Sequence, residues 1–317
     1  ACHEHASGRT TLVAEPGHEA LLDEMRADLS AAQGGAGPPA GPLADGVDED
    51  EPACYLEAVR VALEHIAAGD VYQANLARRW RARLAPGVGA ADVYARLRQA
   101  NPAPFAGLAQ LGGIAVASSS PERLVRVRGR RIDTRPIAGT RPRGQAPDEH
   151  SIRELVAHPK ERAEHVMLID LERNDLGRLC VPGTVHVDEF MTVESYAHVH
   201  HIVSNVSGEL AASATPGAVI RALFPGGTIT GCPKVRCLEV IAELERRPRG
   251  VYTGSMGYLA GDGSMDLNIL IRSLAIAGGV AELFAGAGIV ADSDPLRELE
   301  ETRAKARGVL RALRESP

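Results

Sequence analysis

Two pairs of glutamates share one spacing. Glu161 and Glu164 sit three apart in PKERAEHVML, and Glu298 and Glu301 sit three apart in DPLRELEETRAK. On a helix this spacing turns both side chains of a pair to one face. Four carboxylates facing each other make an all-oxygen site for a hard cation. Mg²⁺ takes one or two carboxylates, several waters and a substrate oxygen. Such pairs are also common on exposed helices, where they are simply solvated, and spacing alone favours that plainer reading. Arg272 is more informative. It lies in MDLNILIRSLAI, an apolar stretch read as a strand, where a charge is costly. A buried arginine grips a carboxylate or phosphate with both arms, and an internal ion pair suits it as well as a ligand does.

Three glycine stretches, PGGTITGCPK, YTGSMG and GAGIVADS, allow a backbone to approach an anion. The first has Gly226 and Gly231 at P-loop spacing, but Cys232 and Pro233 precede Lys234 and no Ser or Thr follows it. That excludes a nucleotide-binding P-loop. The GAG step also suits a strand bulge. In HVHH, alternation puts His200 and His201 on opposite faces, and no Cys/His set accompanies His198. Polar-network histidines fit better than zinc, with one candidate acid–base group.

The elements that must position these residues follow from periodicity. Helices are expected over 53–68, 91–100, 148–156, 159–171, 216–223, 234–244 and 295–314. Strands are expected over 70–83, 105–119, 124–128, 131–134, 184–193 and 198–210, with a meander over 251–260, 265–276 and 281–287. In the first strand Val71, Gln73, Asn75 and Ala77 alternate with Tyr72, Ala74 and Leu76. Strands mixed with runs of helices point to an α+β fold, not a βαβ repeat. Residues 33–52 read QGGAGPPAGPLADGVDEDEP, a Gly/Pro-rich and then acidic stretch expected to be a flexible linker. It separates a strand and helix in 1–32, too little to fold alone, from a main domain at 53–317. The chain starts without Met, which suggests a trimmed N-terminus.

Composition bounds the function. The 317 residues are 44% hydrophobic and 24% charged, as in an ordinary globular protein. A net charge of −6 and 3% aromatics argue against nucleic acid. No apolar run is long enough for a membrane span and no signal peptide is visible. Five scattered cysteines suit a reducing, cytoplasmic setting.

The motifs SSSPERL, TRPIAGTRPRG, ERAEHVMLIDLERNDLGRLC, VESYAHVHHIVS, FPGGTITGCPKVRCLEVI, YTGSMGY, MDLNILIRS and GAGIVADSDPLRELEETRAKA occur in this order. Together they resemble the chorismate-utilising enzymes: anthranilate synthase and aminodeoxychorismate synthase component I, isochorismate synthase and salicylate synthase. The resemblance covers about residues 54–313. It implies two antiparallel sheets face to face with helices outside, and residues 1–32 as a remnant of a variable N-terminal region. It also implies roles. Mg²⁺ would sit among Glu161, Glu164, Glu298 and Glu301. Arg272 and Tyr252 would grip the enolpyruvyl carboxylate of chorismate, with the backbones of Gly286 and Gly288. Gly139, Thr140 and Thr228 would line the ring pocket, and Lys305 would contact a carboxylate. Glu122 would be the general acid for the C4 hydroxyl, and His201 would face the ring. The two Arg-Pro pairs of TRPIAGTRPR would stiffen the loop that presents Gly139 and Thr140.

Two positions sort the members. Water-using members have a lysine base where this chain has Gln73, so the resemblance implies ammonia, supplied from glutamine by a separate amidotransferase subunit. Aminodeoxychorismate synthases usually read PIKGT, with a lysine that attacks C2; this chain has Ala138 there, as in the PIAGT of anthranilate synthases. VYQANL, VHHIVS, PGGTITG, GSMGY and MDLNILIR instead resemble the aminodeoxychorismate type, where the anthranilate type more often reads FQVVLS, VMHIVS, GTVSG and MDTCIAIR. The balance favours aminodeoxychorismate synthase component I, with anthranilate synthase component I as the alternative. A chorismate-binding subunit without turnover would show damage to the carboxylate set, and none is seen.

Overall fold

A computed structural model describes residues 1–32, 39–142, 153, 159–195 and 199–314. The chain forms two units, 1–38 and 39–317. The first has a hairpin of β1 (Cys2–Glu4) and β2 (Arg9–Thr11) followed by helix α1 (Leu21–Ala32).

The second unit opens with β3 (Ala44–Glu49), which pairs antiparallel with β4 (Gln73–Leu84). Within the linker expected over 33–52, residues 44–49 are therefore strand. The acidic stretch gains ladder hydrogen bonds from a strand far along the chain, and its charges pair with arginines: Glu49 with Arg78 and Arg303, and Asp50 with Arg79. Helix α2 (Pro52–Ala67) follows, its proline in the first turn where no N–H is needed. Then come α3 (Ala90–Ala100), β5 (Phe105–Leu111), β6 (Ile114–Ser120), β7 (Arg123–Arg128), β8 (Arg131–Arg135) and β9 (Ile137–Pro142). The single strand expected over 105–119 is a hairpin, because Gly112 and Gly113 both take positive φ and turn the chain.

Helix α4 (Pro159–Gly177), β10 (His186–Ser195), β11 (Val199–Glu209), α5 (Pro216–Leu223), β12 (Gly231–Cys232) and α6 (Lys234–Glu245) come next. The chain closes with β13 (Gly257–Leu259), β14 (Met265–Asn268), β15 (Ser273–Ala277), β16 (Val280–Ile289) and α7 (Pro295–Arg314). The helix expected at 148–156 and His198 lie outside the described residues.

The fold is α+β with two antiparallel sheets of seven strands. One runs β10-β11-β8-β7-β14-β13, with β9 also on β11; the other runs β12-β4-β16-β15-β6-β5, with β3 also on β4. Helices cover both. α4 and α5 pack Ile169, Leu176, Val219 and Leu223 on Val125, Ile132 and Val206 of the first sheet. α3 and α7 pack Val93, Leu97, Ala306 and Val309 on Trp80, Leu274 and Leu283 of the second. α2 and α6 cover Leu76 and Ala287. Burying each large aliphatic side chain contributes about 1.5–3 kcal/mol.

The expected meander is divided between the sheets. β13 and β14 belong to the first, and β15 and β16 to the second. The chain crosses at residues 269–272, and a second crossover joins β6 to β7 at Pro121 and Glu122. The two crossovers hydrogen-bond each other: Ile269 N–H donates to Glu122 O at 3.0 Å, and Ser119 N–H donates to Arg272 O at 3.1 Å. Arg272 is therefore not within a strand. It sits at the turn between sheets with φ 51°, a left-handed conformation that costs a non-glycine residue strain.

Candidate active site

The crossovers open on a cavity of about 610 Å³ between the sheets. Gln73, Glu122, Ala138, Gly139, Glu161, Glu164, His201, Thr228, Tyr252, Arg272, Gly286, Gly288, Glu298, Glu301 and Lys305 all line it. The Thr140 side chain lies outside the described residues.

Glu122 and Arg272 arrive on the two adjoining crossovers. Glu122 is 5% exposed, and its Oε1 has no hydrogen-bond partner among the described residues. Burial pushes its pKa up to about 7, against the opposing pull of the Thr228 hydroxyl, Arg272 and Lys305. A carboxyl in that state exchanges a proton at neutral pH. Burial lowers the pKa of Arg272, and no ion pair to its guanidinium is found among the described residues. The internal-salt-bridge alternative for Arg272 therefore finds no partner, and its charge faces the cavity.

Gly139 is placed by a bulge. On β11, His201 pairs with Thr140 and Ile202 with Ala138, so Gly139 is an extra residue, with φ 68°. A hydrogen bond joins its backbone to His201. Burial, and then the charge of Arg272, hold the pKa of His201 down at about 4. His201 is a neutral imidazole at pH 7.

The glycines of GAG make room. On β16, a side chain at Gly286 would come within 2.6 Å of Asn75 Oδ1 and 2.9 Å of Tyr252 Oη; one at Gly288 would come within 2.2 Å of Gln73 Nε2. The Tyr252 ring stacks on Phe284 at 5.7 Å, and burial raises its pKa to about 12, so it stays a neutral donor. Arg249 braces this wall from behind. It donates to Asn75 O at 2.6 Å and Ile229 O at 3.0 Å, pairs with Glu245, and lies over the Tyr252 ring.

Glu161 and Glu164 of α4 are half-buried, Glu298 of α7 is buried, and Glu301 is exposed. Gln73 Nε2 donates to Glu164 Oε1 at 3.4 Å; Lys305 pairs with Glu301 at 2.6 Å and donates to Gly286 O at 3.0 Å. Four carboxylates from two helices line the cavity, and oxygen donors of this kind suit a hard divalent cation. Among the described residues no three His, Cys, Asp or Glu side chains are gathered as an ion-holding group. Mg²⁺ keeps several waters and needs only one or two direct carboxylates, so the donor chemistry fits.

Sequence reasoning missed Asn75, Asn101 and Ser119, which also line the cavity. Asn75 had a signal, its alternation with Gln73. Glu172 of α4 was missed too. It is buried behind the 3-10 turn Gly227–Ile229, and burial, then Asp175, push its pKa to about 7. No helix among the described residues is long and apolar enough to cross a membrane.

The sequence profile of the family described as chorismate binding enzyme matches residues 5–311. The chain is 50% identical over 268 residues to an anthranilate synthase component I-like protein of Synechocystis sp., covering 84% of this chain and 55% of that one. It is 47% identical over 261 residues to aminodeoxychorismate synthase component 1 of Bacillus subtilis, covering 82% and 55%. It superposes on the crystal structure of anthranilate synthase component I from Streptococcus pneumoniae TIGR4 with a TM-score of 0.86 and 32% identity, covering 96% and 70%. The chain spans about half the length of the curated relatives it matches.

Proposed function

The chain belongs to the family of chorismate-binding enzymes, and from that premise we propose that it aminates chorismate with ammonia. The observation that carries this reading is the buried Gln73 amide on the cavity wall, where the water-using members have a lysine. An amide cannot deprotonate water, whereas ammonia is already a nucleophile and needs no base.

The remaining roles are those the family resemblance implies, and the lining of the cavity supports them. Arg272 and the neutral Tyr252 hold the enolpyruvyl carboxylate, with Arg249 fixing the Tyr252 ring. Gly139, Thr140 and Thr228 border the ring. Lys305 meets a carboxylate. Glu122 delivers a proton to the C4 hydroxyl as it leaves as water. His201, neutral at pH 7, faces the ring without adding charge. Glu161, Glu164, Glu298 and Glu301 would hold Mg²⁺, which neutralises and fixes the ring carboxylate when bound.

For the product we propose 4-amino-4-deoxychorismate: chorismate and ammonia give the amine and water. The motifs VYQANL, VHHIVS, PGGTITG, GSMGY and MDLNILIR support it. Ala138 offers no amine, so a first ammonia takes the C2 position that a lysine takes elsewhere, and it leaves again as a second attacks C4. A second reading is anthranilate, formed from chorismate and ammonia with loss of pyruvate and water. Ala138 itself favours it, as do the names of relatives. In both readings ammonia comes from a separate glutamine amidotransferase subunit, and the word component in the relatives' names supports that.

Incubation with chorismate, Mg²⁺ and ammonium chloride, with and without a 4-amino-4-deoxychorismate lyase, separates the two. We expect 4-aminobenzoate only when the lyase is present; anthranilate without it would reverse the assignment. The Gln73→Lys variant is expected to form isochorismate, read by chromatography. Its complete absence from a folded, chorismate-binding variant would count against the role given to Gln73.

A further inference from the structure

We propose that Asn75, together with Gln73, forms the seat of the ammonia nucleophile; this deepens the amination reading and rests on it. The two residues stand two apart on β4, so their side chains share the face turned to the cavity. They are 2% and 7% exposed. Each amide has its orientation set by an acceptor. Gln73 Nε2 donates to Glu164 Oε1 at 3.4 Å, and Asn75 Nδ2 donates to Thr228 O at 3.3 Å. Because both partners accept only, the nitrogens must face them. The carbonyl oxygens then point elsewhere, and both Gln73 Oε1 and Asn75 Oδ1 lack a hydrogen-bond partner among the described residues. An unsatisfied buried acceptor is costly, and two on one strand face call for a ligand.

The chemistry of that ligand follows. Two acceptor oxygens repel a carboxylate, so this corner does not hold the acidic groups of the substrate. They suit a small molecule that brings hydrogen-bond donors and no negative charge. Ammonia can donate to both oxygens and keep its lone pair for attack. The glycines opposite fit this role. Any side chain at Gly286 would come within 2.6 Å of Asn75 Oδ1, so its absence keeps the acceptor clear.

The test is steady-state kinetics with ammonium chloride as the nitrogen source, at saturating Mg²⁺. Asn75→Leu removes the acceptor at similar volume. Its KM for ammonium is expected to rise about tenfold, the loss of one hydrogen bond, with the KM for chorismate moving less than about twofold. Asn75→Asp keeps an acceptor oxygen and gives up the bond to Thr228, so its KM for ammonium is expected to stay near that of wild type. Asn75→Ala replaces the leucine variant if the latter does not fold. An unmoved KM for ammonium in the leucine or alanine variant overturns the site, and so does an aspartate variant as weak as leucine. A rise confined to chorismate would assign Asn75 to the chorismate pocket instead and also overturns it. Wild-type enzyme that makes no nitrogen-containing product would overturn the amination reading itself, a result distinct from normal amination with unaltered ammonium kinetics.

Discussion

Replacing Glu122 by Gln is expected to lower kcat by on the order of 10²- to 10⁴-fold, the usual contribution of a positioned general acid. The KM for chorismate should change little, because the amide keeps the volume and polarity of the acid. Glu122 suits the task through its place on the crossover, buried at 5% exposure with one oxygen unpartnered. An ordinary glutamate is protonated in only about 1 molecule in 500 at pH 7. Burial brings the pKa of Glu122 to about 7, so about half the molecules carry the proton at that pH. The acid must be protonated to act, so kcat/KM should hold steady below pH 7 and fall above it. Glu172, with a pKa also near 7, does not line the cavity. Only the glutamine at position 122 should therefore remove that alkaline limb. A Glu122→Gln enzyme with wild-type kcat and an unchanged pH profile would end this assignment.

Removing divalent cations is expected to abolish turnover, and Mg²⁺ to restore it. In the proposed reaction a dianionic substrate brings its ring carboxylate beside Glu161, Glu164, Glu298 and Glu301. Two like charges about 4 Å apart repel by about 4 kcal/mol at the effective dielectric of such a site. That is about a thousandfold in affinity for one contact. Chromatographic measurement of chorismate consumption in EDTA, then across a Mg²⁺ titration, reads the effect. Glu298→Gln should raise the Mg²⁺ concentration needed for half-maximal rate. Glu300→Gln should not, because Glu300 pairs with Arg303 outside the cavity. Full turnover in chelator would eliminate the metal site.

Much of this architecture was legible in the sequence. The expected helices 216–223 and 295–314 match α5 and α7 residue for residue, because proline at the first position and strong periodicity mark their ends. The eight motifs that converge on the cavity were legible as a resemblance, and the fold it implied is the one observed. What stayed hidden was long-range. Alternation reads the same whether a strand continues or crosses to another sheet, so Met265–Ile276 looked like one strand and Arg272 looked interior to it. The acidic stretch 44–49 looked unable to bury anything until β4 supplied its partner strand and its arginines. Two signals were local and overlooked: Gly112-Gly113, which turns the β5–β6 hairpin, and Asn75, which shares its face with Gln73.

The central claim is that ammonia, not water, attacks chorismate in this cavity. Its most direct test is incubation with chorismate, Mg²⁺ and ¹⁵N-labelled ammonium in ¹⁸O-labelled water, followed by mass spectrometry of the ring product. The account predicts one ¹⁵N in the product and no isochorismate carrying ¹⁸O. Consumption of chorismate into an ¹⁸O-labelled hydroxylated product, with no ¹⁵N incorporated, would contradict it.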